Sequence, residues 1–317
     1  GIRTMIGKKT IANLEIEPLE AIASSQQVAA LAVICGIEGP SYRPLGASMA
    51  IFEDGSTVGN LSSGCIEADI AHHAVAALSQ GQPREIRYGK GSPFMDIRLP
   101  CGGGLDILIV PQPDRDALQD VTLRHARREL CCLMIDIPTG KLHVRSDGET
   151  GRAVSRFTIR IAPELRFLTF GAGPEAVTFA AIVQSIGFQN ELFSPDGKTL
   201  EAAGRAGCRA HRLSQKAMPK DLSIDDRTAV TLFFHDHDWE PPILAAALSS
   251  PAFFVGAQGS KRAADARLLE LEALGLEASA RNRLRGPIGL IPSTRNAHTL
   301  AVSVLAEILA ESGSVSN

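Results

Sequence analysis

The chain has 317 residues, 44% hydrophobic and 21% charged, so it can bury one large or two medium cores and is too apolar for general disorder. Its net charge of −3 gives no global attraction to nucleic acid or an anionic membrane, and no apolar run reaches the roughly 18 uncharged residues of a membrane span. Six cysteines (Cys35, Cys65, Cys101, Cys131, Cys132 and Cys208) are too sparse for a disulfide scaffold. They form no CxxC pair, which argues against a zinc ribbon, and cysteines this sparse fit a reducing cytoplasm.

In chain order, residues 2–9 hold no apolar core followed by a small-residue cleavage site, so secretion is not expected. Residues 15–27 read as a helix with Leu14, Leu19 and Ile22 on its apolar side. The continuous apolar run 28–35 has strand length and predicts a strand buried on both faces. The Gly- and Pro-rich stretch 36–46 is a loop whose Ser41, Tyr42 and Arg43 offer hydroxyls and a guanidinium to an oxyanion or polar heterocycle. An ordinary polar turn would look the same.

A strand at 49–52, a turn at Asp54-Gly55-Ser56 and a second strand lead into the stretch 59–69, from which an Ala-rich helix leaves at about 67–79. Ser62, Ser63 and Gly64 thus end at a helix N-terminus, where unpaired N–H groups and the dipole favour an anion. Cys65 is expected in that first turn, where a thiol's pKa is lowered. The structural alternative makes a serine the N-cap and Cys65 a small buried hydrophobe. Adjacent His72 and His73 point in different directions on a helix and do not share a metal. Residues 84–88 form a strand. Cys101 then precedes Gly102, Gly103 and Gly104, a bare backbone that lets a bulky ligand approach. Two Gly-flanked cysteines in one domain point to a ligand site with thiol chemistry.

Residues 114–129 read as a helix whose Arg124, Arg127 and Arg128 suit a solvated face, and 130–137, 141–145 and 155–161 as strands, with Cys131 and Cys132 filling the first. A boundary near Ala162-Pro163 divides domains 1–162 and 163–317. The strand 166–170, Gly171-Ala172-Gly173-Pro174-Glu175-Ala176 and the following helix place GxGxxA in a dinucleotide-binding setting. Gly171 and Gly173 would permit the tight turn and close pyrophosphate approach, and Asp196, after the next strand, would accept from a ribose hydroxyl. The strand 229–234 ends at His235-Asp236-His237-Asp238, at the expected ligand crevice, although alternating neighbours at a strand exit rarely converge on a metal. After a strand at 252–255, Gly259 and Ser260 enter a helix as an anion-binding turn, and a last helix spans 296–309.

Residues 39–47, Ser62-Ser63-Gly64-Cys65-Ile66-Glu67 and 99–104, followed by Gly171-Ala172-Gly173, His235-Asp236, Gly259-Ser260-Lys261-Arg262, Gly286-Pro287-Ile288-Gly289-Leu290 and the closing helix, together resemble the XdhC/CoxI family of xanthine dehydrogenase accessory proteins. Ser63 stands where the family has Gly, Pro174 where it has His, and Ile291-Pro292-Ser293-Thr294 replaces its Asp-Ile-Gly-Ala-like run. The resemblance implies an α/β protein, an N-terminal mixed α/β domain followed by a Rossmann-like, doubly wound parallel-sheet domain. It implies a factor that binds molybdenum cofactor (molybdopterin, or its cytosine dinucleotide form), protects it and delivers it to an apo molybdenum hydroxylase. A cysteine desulfurase is a further implied partner, and the chain is expected to be a homo-oligomer.

On this view Cys65 and Cys101 hold or guard the metal, while Ser62, Ser63, Gly64, Gly102 and Gly103 shape a pocket and donate to the pterin phosphate. Gly171, Gly173, Asp196, His235, Gly259 and Ser260 are the second domain's cofactor-binding candidates, and no catalytic residue is assigned. The alternative is an NAD(P)-dependent oxidoreductase using the Rossmann domain, with His235 as acid–base. A third reading is a scaffold that binds a sulfurtransferase and no cofactor.

Overall fold

The structure, a computed structural model, describes residues 15–93, 99 and 102–313. The chain divides into two compact units between Pro163 and Glu164.

The first unit is built on β1 (Ala29–Glu38), flanked by β2 (Ser48–Phe52) and β3 (Thr57–Gly59) on one side and by β5 (Gly104–Pro111) and β4 (Arg84–Gly89) on the other. All pairings in this five-stranded sheet are antiparallel. Strand alternation divides β1 between two cores: Leu31, Val33 and Cys35 face one way, Ala30, Ala32 and Ile34 the other. The apolar run is continuous because both faces are covered.

On the second face lies α2 (Glu67–Gln80), whose Ile70, Ala74 and Ala77 are fully buried and which stops at left-handed Gly81. On the first face lie α1 (Glu17–Ser24), α3 (Arg115–Ala126) and a second antiparallel sheet ordered β7-β6-β9-β8. Its strands are β6 (Cys131–Asp136), β7 (Leu142–Arg145), β8 (Gly151–Ala153) and β9 (Arg156–Ile161). Cys131 and Cys132 are buried in β6, as fillers of a strand. Helix α1 is shorter than the sequence predicts, and β8 carries too little apolar pattern to be read as a strand.

The second unit is a six-stranded parallel sheet ordered β12-β11-β10-β13-β14-β15. The strands are β10 (Arg166–Gly171), β11 (Gln189–Ser194), β12 (Arg209–Arg212), β13 (Thr228–Phe233), β14 (Phe254–Ala257) and β15 (Leu284–Arg285). Sequential order runs outward from β10 to one edge and then from β13 to the other, which is Rossmann winding. Helices α4 (Pro174–Ile186) and α9 (Ala297–Ser312) cover one face; α6 (Glu240–Leu248) and α7 (Lys261–Ala273) cover the other. Short helices α5 (Gly197–Arg205) and α8 (Ala278–Arg281) complete the connections. Phe167 joins the α4/α9 core while Leu168 and Phe170 join the α6 core, so β10 is also buried on both faces. No helix of the described residues is long and apolar enough to cross a membrane.

Candidate functional site

In the first unit the three loops singled out in the sequence meet. Pro40, Ser41 and Tyr42 after β1, Leu61, Ser62 and Ser63 before α2, and Leu99 and Leu105 around the glycine run line one cavity of about 210 Å³. Its wall is mainly apolar, and Ser41, Tyr42, Ser62 and Ser63 are its hydroxyl-bearing residues. Ordinary hydrogen-bonding groups hold the loops there. Arg87 donates to Asp106 (3.1 Å), to Glu38 and to the carbonyl of Lys90 (2.8 Å), which ties the end of β1 to the start of β5. The Tyr88 hydroxyl donates to Asp69 on α2 at 2.5 Å.

The loop before α2 is organised by Glu67. Its Oε1 accepts from the N–H of Leu61 (3.2 Å), the N–H of Ser62 (2.8 Å) and the Ser62 hydroxyl (2.9 Å), while Oε2 accepts from the N–H of Ile66 (3.2 Å). Burial alone would raise the Glu67 carboxyl, but the hydrogen bonds from Ser62 and the loop N–H groups outweigh it and hold the pKa below the ordinary value. Sequence alone leaves this loop's donors to a ligand anion or to a capping serine. In the fold the anion they hold is the protein's own glutamate, so the backbone donors of Leu61 and Ser62 are already engaged.

Cys65 is exposed, and the other cysteines among the described residues are buried. It precedes the N-cap, Ile66, rather than lying in the first helical turn. Its N–H donates to Ser62 Oγ (3.1 Å), and its Sγ lies 3.7 Å from the hydroxyl of Ser63, a cavity-lining residue. The alternative of a small buried hydrophobe is therefore removed for Cys65. It fits Cys35, Cys131, Cys132 and Cys208, each raised in pKa mainly by burial, Cys35 to about 12 and Cys131 to about 11.

Cys101 lies outside the described residues. Gly102 has φ +70° and a side chain added there would meet open space, whereas one on Gly103 would come within 2.3 Å of the Pro40 carbonyl oxygen and 2.9 Å of that of Glu38. Gly103 is thus required by close packing of one loop on another. Among the described residues no group of three His, Cys, Asp or Glu is arranged to hold a metal ion.

The Rossmann turn of the second unit departs from its sequence expectation in the same sense. Gly171 must lack a side chain because a Cβ would sit 2.3 Å from the Phe233 carbonyl oxygen on the neighbouring strand. The N–H of Ala172 donates to that same oxygen (3.1 Å) and the N–H of Gly173 to Thr199 Oγ1 (2.9 Å). Asp196 caps α5, accepting from the N–H of Thr199 (3.0 Å) and its hydroxyl (2.6 Å). An Asp three residues before Thr at a helix start carries that capping signal in the sequence. His235 is exposed, with Nε2 3.4 Å from Glu175 Oε2 on α4. Asp236 caps the 3₁₀ turn His237–Trp239, His237 pairs with Glu240, and Asp238 lies 3.7 Å from Lys216, so the four residues disperse. Gly259 and Ser260 lead into α7, with Ser260 Oγ accepting from the N–H of Ala263 (3.2 Å).

An antiparallel α/β unit whose loops enclose a cavity, followed by a parallel Rossmann unit, defines a two-part α/β protein. Family profiles match both parts: the XdhC and CoxI family over residues 22–89 and the XdhC Rossmann domain over residues 167–308. The chain belongs to the XdhC and CoxI family. It is 34% identical to the molybdenum cofactor insertion chaperone PaoD of Escherichia coli (strain K12), across 95% of this chain and 87% of that protein. It is 26% identical to a protein of Bacillus subtilis (strain 168) described as a probable xanthine dehydrogenase subunit, across 92% of this chain and 95% of that one. A crystal structure described as a xanthine dehydrogenase from Bacillus halodurans shares the fold, with a TM-score of 0.74 at 22% identity over 95% of this chain and 96% of that one.

Proposed function

We propose that this chain is a molybdenum cofactor chaperone that binds the cofactor, shields it and inserts it into an apo molybdenum hydroxylase of the xanthine dehydrogenase type. The observation that carries the reading is the exposed thiol of Cys65, whose neighbour Ser63 lines the cavity where three family loops meet. The relative named as an insertion chaperone, matched over nearly the whole chain, supports the same reading.

The residues present suit such a group. A soft thiolate is matched to molybdenum better than to hard cations. Asn60, the residue before Leu61 of the cavity wall, has a buried Oδ1 with no hydrogen-bond partner among the described residues, an acceptor of the kind the N–H donors of a pterin need. Cys65 and Cys101 would hold or guard the metal, and Ser62, Ser63, Gly64 and Gly102 would shape the site. The bound group would supply a molybdenum–dithiolene centre destined for the hydroxylase; this chain's residues would bind it and limit its access to water.

We take the cytosine dinucleotide form as one version of the cargo, a cysteine desulfurase as a further partner, a homo-oligomer as the working state, and the cytoplasm, where exposed thiols stay reduced, as the compartment. An NAD(P)-dependent oxidoreductase finds little support. The N–H groups of Ala172 and Gly173 are engaged within the protein, and Asp196 is occupied as a helix cap. The test is molybdenum and pterin analysis of the protein purified from a molybdate-fed host. Stoichiometric molybdenum with pterin is expected. Metal-free protein that also fails to take up cofactor released from a hydroxylase would overturn the reading.

A further inference from the structure

The Rossmann unit presents two helix N-termini at the carboxyl ends of the strands on either side of β13: α4 follows β10 and α7 follows β14. The first is the usual pyrophosphate position of this fold, yet here it is unsuited to an anion. Pro174 supplies no N–H, those of Ala172 and Gly173 are taken by Phe233 and Thr199, and Glu175 places a carboxylate in the first turn.

The second has the opposite character. Helix α7 has no acidic residue in its first turn, and instead begins with exposed Lys261 and Arg262, which form no ion pair among the described residues. Cations at a helix N-terminus oppose the dipole unless an anion lies between them. Beneath the turn is Arg267, 4% exposed, whose Nε donates to Glu240 Oε2 (2.8 Å) and whose Nη2 donates to the Gln258 carbonyl. Its Nη1 is buried with no hydrogen-bond partner among the described residues and lies 3.3 Å from where a Gly259 Cβ would stand and 3.8 Å from that of Gly286. A guanidinium N–H left unpaired in a protein interior is costly. The orphaned donor, the basic first turn and the Gly259-Ser260 backbone converge on one place.

We infer that the β14–α7 turn, with Lys261, Arg262 and the buried Arg267, is the phosphate-binding site of the Rossmann unit, in place of the Gly171–Gly173 turn. The ligand class is a phosphate ester: the phosphate of a pterin cofactor or the diphosphate of its dinucleotide form. This deepens the chaperone reading and rests on it for the ligand's identity, although the anion site itself can be measured on the protein free of cofactor.

The experiment is calorimetric titration of the full chain with inorganic phosphate and with inorganic pyrophosphate, for the wild type, the surface double variant Lys261→Gln/Arg262→Gln, and Glu175→Gln. Wild type should bind at least one anion, and the double variant should weaken it by about tenfold or more, as expected for losing charge-assisted contacts. Pyrophosphate preferred over phosphate would indicate the dinucleotide source, and equal binding the monoester. Glu175→Gln should leave affinity unchanged. No binding by wild type, binding indifferent to the double variant, or binding strengthened by Glu175→Gln would overturn the inference. Arg267→Lys should also weaken binding, but the double variant, being exposed, decides the matter without risk to the fold. Cys65→Ala should bind both anions normally, so loss of molybdenum from that variant tests the chaperone reading apart from this one.

Discussion

Among single residues, the exposed cysteine and the half-buried glutamate carry different burdens. Cys65 is exposed and accepts no structural duty through its side chain beyond the 3.7 Å approach to Ser63. Cys65→Ala is therefore expected to change stability by no more than about 0.5 kcal/mol, as for other surface substitutions, and to abolish retention of molybdenum. Normal molybdenum content in that variant, by elemental analysis, would return Cys65 to a passive role. Glu67 is the reverse case. Its folded-state pKa is depressed, so its stabilisation is complete above the ordinary glutamate range and is lost as pH falls through the lower folded value. Glu67→Gln should lower the thermal midpoint near neutral pH, with the difference from wild type closing as pH falls through the lowered folded-state pKa of Glu67. A gap that persists unchanged in acid would show that shape, not charge, holds the loop.

Within the loops and helices, the glycine run divides into residues with different reasons to be glycine. Gly102 has φ +70° with open space around its Cβ position, so Gly102→Ala should cost about 1 kcal/mol from backbone conformation alone. Gly103 lies against the carbonyls of Pro40 and Glu38, and Gly103→Ala must push the two loops apart. Denaturant unfolding of the two variants should rank Gly103→Ala as clearly the more destabilising, and the reverse order would contradict the packing account. The helices follow the same logic of reasons. Helix α2 is placed by Ile70, Ala74 and Ala77 against the even-numbered face of β1, and the loop entering it carries Ser62 and Ser63 of the cavity wall, with Cys65 Sγ 3.7 Å from the Ser63 hydroxyl.

Across the molecule, each unit has its own cores: two flanking the antiparallel sheet and two flanking the parallel one. Each also offers different chemistry, a soft thiol in the first and a basic helix start in the second. A delivery assay joins the two. Added to an apo molybdenum hydroxylase with free cofactor, wild type is expected to raise the active fraction several-fold, and Cys65→Ala to give no gain over cofactor alone. Equal activation by both proteins would place the transfer chemistry elsewhere in the chain.

The two-part α/β architecture is legible along the chain, because uninterrupted apolar runs of strand length and Gly-punctuated helices are local signals. The family is legible too, since the ordered loop motifs survive as a string. Which donors are free is settled by folding alone. Glu67 lies next to the loop in sequence, yet its capture of the Leu61, Ser62 and Ile66 N–H groups depends on how the loop folds back. Thr199 is 26 residues from Gly173, and Arg267 nine from Gln258, so no spacing rule reveals that one silences a phosphate turn and the other underlies a second. Burial sorted the cysteines in the same way: the residue type is local, but exposure is set by neighbours far along the chain, and only Cys65 among those described reaches the surface.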